Sequence, residues 1–397
     1  MKLKFFMFTI LLLNAFFLMG CKDQYELNEI AITSALAFDK TSGGYKVTAQ
    51  VILPSEVTAV NQSSRVAVTT FEEEGKTIDE SLRKLTNESS RTVYLGHLRG
   101  VVISEGLAKE GIADIIDYLF RNPEVRSDFY IYVGLRNDAS DFLKVLTPIE
   151  KVPANDLFSG IRVSNEKWGT SNIKDIDEIV EVLSNKGEQL VLNAIVIKGD
   201  LDDGKDISNV NQIETPTSIK FQNLVVFYRD QMIATLNEEE SLAYNHVIGS
   251  INSTIVNVPC ENGDHFAFEI NDTYRKINPI YNEEQWSIQI LYEVSGNINE
   301  LPCKFDLNEQ PNLKRIEKLI EQELKGHMYS IVTKAQREFK SDIFGFGTVV
   351  HRHYKEEWKK VGESWNPVFK KINVDVSVEV TIKKTGNSDD SIIKKLK

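Results

Sequence analysis

Basic residues are in short supply: 46 Lys and Arg stand against 58 Asp and Glu in 397 residues, a net charge of −12. A surface of that sign repels nucleic acid and anionic headgroups, which argues against a nucleic-acid-binding protein and against attachment to a membrane through a basic patch. Signatures of catalysis are also missing. No Gly-x-Ser-x-Gly elbow, Walker loop or His-Glu-x-x-His run occurs. Of six histidines only His351 and His353 lie close together, on one side of a strand but pointing apart on a helix. A metal would require two further ligands at defined spacing, and neither Cys260 nor Cys303 is near in sequence, so no metal or cofactor is expected. His97 reads as a packed, hydrogen-bonded residue. Gly345-Phe346-Gly347 is too short to cradle a phosphate and reads as a turn. The acid runs Glu72-Glu73-Glu74 and Glu238-Glu239-Glu240 read as solvated faces or first-turn helix residues. There is no internal repeat, no low-complexity segment and no positive sign of an enzyme.

One apolar run stands out, Phe5 to Met19, preceded by Lys2 and Lys4 and followed by Gly20 and Cys21. It is shorter than the roughly 20 residues that span a bilayer, so a secretory leader over 1–20 is the stronger reading and a permanent transmembrane helix the weaker. Its ending, Leu18-Met19-Gly20-Cys21, resembles a bacterial lipobox. Only a thiol forms the thioether to diacylglycerol, and only a small residue before it fits the peptidase. Cys21 is therefore the expected lipid attachment and mature N-terminus, with the body on the extracytoplasmic side of the cell membrane. A buried methylene contributes about 0.8 kcal/mol and one acyl chain holds only marginally, so two or three are needed. The leader removes two lysines and no acids, leaving 44 − 58 = −14. In that compartment Cys260 and Cys303 are free to form a disulfide, but two buried thiols are equally compatible with the sequence.

With 9% aromatic and 42% hydrophobic residues the mature chain is expected to fold, and its length suits two or three domains. Ile30 to Phe38 and Tyr45 to Leu53 read as a hairpin. From 77 to 198 strands and helices alternate, with a capping box opening at Thr77 and an amphipathic helix over 107–120. Polar, turn-rich residues 199–216 suggest a boundary. Apolar positions at steps of three or four mark one long helix over 312–341. Ile372, Val374, Val376, Val378, Val380 and Ile382 alternate with polar residues, as in a half-buried antiparallel strand over 372–383. The fold class is α+β: mixed, mostly antiparallel sheets with helices packed on them. Three successive domains are expected at 21–200, 201–270 and 271–386, before a polar tail at 387–397.

Three stretches together resemble the Ger(x)C lipoproteins, the C subunits of the nutrient germinant receptors of endospore-forming bacteria. They are Cys21 to Glu29 running into Ile30-Ala31; Ser89 to Leu98 with Asp117 to Arg126; and Ala335 to Trp365, containing Lys340-Ser341-Asp342-Ile343-Phe344-Gly345-Phe346-Gly347. The family usually carries Trp after the cysteine and basic residues where Gln24 and Tyr25 stand, a departure confined to the lead-in. The resemblance implies a non-catalytic receptor subunit at the spore inner membrane, working with integral membrane A and B subunits in nutrient-triggered spore germination. Cys21 would carry the lipid, and Tyr94 to Leu98 and Asp342 to Gly347 would be structural landmarks. The alternative class is an extracytoplasmic small-molecule-binding lipoprotein of an uptake system, which would favour two doubly wound lobes.

Overall fold

The computed structural model describes residues 26, 28–58, 65–260, 263–303, 305, 307 and 309–384. Cys21, the lipobox residues Leu18, Met19 and Gly20, and the tail 387–397 lie outside them.

The chain is mixed α+β, built on two sheets. The first contains β1 (Ile30–Thr41), β2 (Gly44–Ile52), β3 (Val68–Gly75), β4 (Thr92–Tyr94), β5 (Gly100–Ser104), β6 (Tyr130–Gly134), β7 (Val191–Lys198), β8 (Ser218–Tyr228) and β9 (Gln231–Thr235). Their order is β3-β2-β1-β5-β6-β7-β8-β9, with β4 beside the start of β1. The central strands β1, β5, β6 and β7 run parallel, and hairpins flank them on both sides. Parallel strands joined through helices are covered on both faces, and Val101, Val102 and Ile103 are fully buried. Helices Ile78–Lys84, Ala113–Arg121 and Ile176–Ser184 cover one face, while Pro153–Lys167 covers the other.

The helix expected over 107–120 is two helices, Glu105–Glu110 and Ala113–Arg121. The chain breaks at Gly111, whose φ is 142°, and Ile112 N–H donates to the carbonyl of Asp230 in the β8–β9 turn. Apolar periodicity runs on across so short a break, because both helices bury the same face. The break is imposed by a contact more than a hundred residues away in the chain.

The second sheet has the order β10 (Thr254–Pro259), β11 (His265–Asn282), β12 (Gln285–Glu300), β13 (Asn373–Lys384). Helix Gln310–Lys334 packs across it, with Ile316, Ile320, Leu324, Met328 and Ile331 at most 1% exposed. A π-helical turn, Ala335–Phe339, ends it. The strand read as antiparallel, β13, pairs parallel to β12. Alternation reports which face is buried and carries no information about the direction of the neighbour. The long helix returns the chain to the end where β12 began, and a parallel pair requires such a crossover. The same helix guards the sheet edge. Tyr329 Oη accepts the N–H of Val376 at 3.0 Å, Glu321 Oε1 that of Val380 at 3.3 Å and Glu317 Oε1 that of Ile382 at 3.2 Å. Three outward donors that would otherwise template another strand are thereby occupied.

Cys260, after β10, and Cys303, after β12, form a disulfide with Cα atoms 5.9 Å apart and a sequence separation of 43. By the chain-entropy relation a loop of that length contributes about 4 kcal/mol. Cys303→Ala should lower the urea midpoint accordingly, and reductant should bring the wild type down to the variant. A reductant-insensitive midpoint in the wild type would contradict this.

Candidate functional site

Residues 201–270 supply strands to both sheets, and the helix between them, Glu238–Ile248, lies where the sheets meet. Asn237 caps it: its side chain accepts the Glu240 N–H, while Glu240 accepts that of Asn237. Four like-aimed donors at a helix start need such partners. Ala243, Tyr244 and Val247 pack with Val191, Leu224 and Val226 of the first sheet and with Phe268, Ile290 and Tyr292 of the second. Most polar groups that enter this core are paired, with the buried Oδ1 of Asn245 an exception. Asn172 Nδ2 donates to Tyr244 Oη at 3.2 Å, and Asn245 Nδ2 donates to the carbonyls of Gly169 and Ser171 at 2.6 and 3.1 Å. His246 Nδ1 lies 2.8 Å from Tyr292 Oη. Burial pushes this imidazole down to about 3, so it is neutral at physiological pH.

A second contact is built around Asp342. After the π-turn the backbone passes through Lys340 at φ 56° and delivers Asp342 into the interior with no exposure. Its Oδ1 accepts the N–H groups of Phe344 at 3.1 Å and Phe346 at 3.2 Å. Its Oδ2 accepts Gly347 N–H at 2.8 Å and Trp365 Nε1–H at 2.7 Å. Burial, the largest influence, pushes this carboxyl up to about 6 against the pull of those four donors. The Asp342 carbonyl accepts the N–H of Gln189 at 2.7 Å, and Gln189 Oε1 accepts that of Arg229 at 2.6 Å. Asn185 Nδ2 donates to Thr348 Oγ1 at 2.7 Å, and Lys186 pairs with Glu363. Gly347 has no room for a side chain, since a Cβ would stand 2.5 Å from Trp365 Nε1 and 2.6 Å from Gly187 Cα. Beside it Glu188, raised by burial and opposed by Lys174 at 3.8 Å, completes a polar seam between the loop before β7 and the segment after the long helix.

Both oxygens of this carboxylate are turned to donors of its own chain, and the side chain has no exposure. Asp342 is a fastener. It organises the turn 342–347 and through that turn holds the first sheet to the second. A cleft of about 630 Å³ runs along the seam, lined by Lys186, Gln189, Arg229, Glu363 and Trp365. A larger one, about 860 Å³, lies in the first half between Arg83, Thr92, Tyr118 and Arg121, where Arg83 is paired with Asp79 at 2.9 Å and Arg121 with Asp117 at 2.8 Å.

Helix Phe346–His353 carries both His351, stacked on Trp358 at 5.3 Å, and His353, whose Nδ1 is 2.9 Å from the Val349 carbonyl. Among the described residues no group of three or more His, Cys, Asp or Glu is placed to hold a metal. His97 lies 5.9 Å from the Tyr94 ring, and Glu72 pairs with Lys144 at 2.9 Å. No helix among the described residues is long and apolar enough to cross a membrane. Sequence reasoning passed over Gln189, Asn185 and Trp365. The only hint was the Gly-Phe-Gly spacing, which marks close backbone approach without naming the partner.

Two family models match the chain: the spore germination protein N-terminal domain over residues 23–197, and the spore germination B3/GerAC-like C-terminal model over residues 222–386. The seam at Asp342 therefore joins the two matched regions. Spore germination protein KC of Bacillus subtilis (strain 168) is 28% identical, over 97% of this chain and 96% of that protein. Spore germination protein B3 of the same organism is 21% identical, over 94% and 96%. The crystal structure of the GerBC protein aligns with a TM-score of 0.57 at 18% identity, covering 88% of this chain and 96% of that one, and shares its fold. Matched along both halves and nearly end to end, the chain belongs to the Ger(x)C family of spore germination proteins.

Proposed function

We propose that this chain is a lipid-anchored, non-catalytic subunit of a spore nutrient germinant receptor, needed for assembly or function of the complex. Its partners are integral membrane A and B subunits, and its body lies on the extracytoplasmic side of the spore inner membrane. The observation that carries this reading is the near end-to-end likeness to spore germination proteins, which spans both halves of the fold. Physical support comes from reach. β1 begins at Ile30, nine residues after Cys21, and an extended chain of that length spans at most roughly 30 Å. A lipid on Cys21 keeps the folded body beside any partner embedded in the same bilayer. The seam around Asp342 adds a second element, since two fastened halves present their surfaces as one unit. A receptor with two doubly wound lobes would need a second parallel sheet, whereas β10, β11 and β12 are antiparallel.

The deciding experiment is affinity purification of the tagged chain from detergent-solubilised spore membranes. Two polytopic proteins should be recovered with it, and spores lacking the chain should respond poorly to one class of nutrient. Recovery of the chain alone, with an unaltered response to every nutrient, would overturn the proposal.

A further inference from the structure

The chain is acidic overall, yet three arginines gather at one end of the first sheet. Arg99 stands immediately before β5, and its N–H donates to the Ser34 carbonyl of β1. Its guanidinium lies 4.9 Å from the centre of the Phe158 ring and 3.0 Å from Asp128. Arg162, one helical turn beyond Phe158, sits over the same ring at 5.7 Å. Arg126 reaches the same Asp128 at 3.4 Å with its side chain 71% exposed. Phe158 is fixed by stacking on Tyr130, the first residue of β6, at 4.9 Å. Two guanidiniums, those of Arg99 and Arg126, thus share one carboxylate, while that of Arg162 meets the ring. Counting Asp128 and Glu124 against the three arginines leaves 3 − 2 = 1 positive charge, and Glu166, one helical turn beyond Arg162, is paired with Lys167 at 2.9 Å. Val163, 59% exposed, stands next to Arg162 as an apolar companion.

The position matters as much as the charge. β1, β5 and β6 are parallel, so their first residues lie at the same end, and that is the end from which Ile30 leads back toward Cys21. We propose that Arg99, Arg126 and Arg162 form a phosphate-binding face that seats the tethered end of the body on anionic phospholipid headgroups. This rests on the lipid-anchored reading above. Guanidinium forks match phosphate oxygens in pairs, and a ring that holds Arg99 in place reduces the entropy lost on contact. With 44 − 58 = −14 charges, the mature body would otherwise be pushed away from an anionic surface. A local excess of arginine at the contact offsets that repulsion within a Debye length, about 8 Å at physiological salt.

The test uses the unlipidated chain from Lys22 onward, which contains every described residue, sedimented with vesicles of phosphatidylglycerol and phosphatidylcholine or of phosphatidylcholine alone. The wild type should bind the anionic vesicles and lose them in high salt. At about 1 kcal/mol per arginine near the surface, Arg126→Ala with Arg162→Ala should weaken binding roughly 30-fold. Lys109→Ala, on the helix after the far end of β5, should leave binding unchanged. Wild-type indifference to phosphatidylglycerol, or an equal loss with Lys109→Ala, would overturn the proposal. So would unchanged vesicle binding of the double variant together with loss of a co-purifying membrane protein, which would assign the face to an acidic protein segment. None of these results depends on acylation of Cys21, which is read separately by mass spectrometry of the native chain.

Discussion

Cys21→Ala is expected to abolish lipid incorporation: the variant should take up no labelled fatty acid and should keep its leader, because the peptidase that cuts before a lipobox cysteine acts on the acylated precursor. The wild type should yield an N-terminal peptide beginning at Cys21 and carrying a diacylglyceryl group. The effect is all or none, because no other residue at the mature start offers a thiol. Its functional consequence follows from the hydrophobic effect. Two or three acyl chains at about 0.8 kcal/mol per buried methylene make attachment durable, and the mature chain carries no excess of basic residues to replace them. Spores with Cys21→Ala should germinate poorly with one nutrient class yet normally with a trigger that bypasses receptors. An unmodified Cys21 in the wild type, or a leader cut elsewhere, would remove the basis of the anchored reading.

Asp342→Ala is expected to cost about 3 kcal/mol or more, the largest loss of stability from any single side chain at the seam. Three backbone N–H groups and the Trp365 indole N–H lose their acceptor in a site with no exposure, and each buried orphan costs about 1–3 kcal/mol before water relieves some of it. Trp365→Phe keeps an aromatic side chain, removes one of the four donors and opens a small cavity, so it should cost about 1–2 kcal/mol, less than Asp342→Ala. Equal losses in the two variants would mean that the carboxylate is not the fastener. The pH dependence gives a second check. The folded carboxyl is pushed up to about 6 from an ordinary 3.8, so between those values the folded chain holds a proton that the unfolded chain releases. Stability contributed by this group therefore falls as pH rises from about 4 to about 6 and is level above. The alanine variant should lack that component of the slope in urea midpoints. A wild-type component of opposite sign would show that the four donors outweigh burial.

Much of the local structure was legible because it is written in short-range chemistry. The turn at Thr41 to Gly44, the acids opening the helix at Glu238 and the three-and-four stripe from Ile316 to Ile331 each follow from backbone sterics or from a buried face. Where reading failed, the missing information was non-local. Gly111 breaks a helix because Asp230 lies against it. The parallel direction of β13 depends on where the long helix delivers the chain, which alternation of valines does not encode. The Asp342 turn attracted attention through a resemblance, yet its role as an acceptor for four donors needed Gly347 and Trp365 to be brought to it.

The sequence by itself determined the expected lipid attachment, the acidic body and the α+β class, since these depend on neighbouring residues, summed charge and the periodicity of apolar positions. Only the tertiary structure decided how two sheets become one body, which carboxylate fastens them and which end gathers the arginines. Those features come from groups far apart in the chain meeting in three dimensions, where burial and pairing fix energies that no local pattern contains.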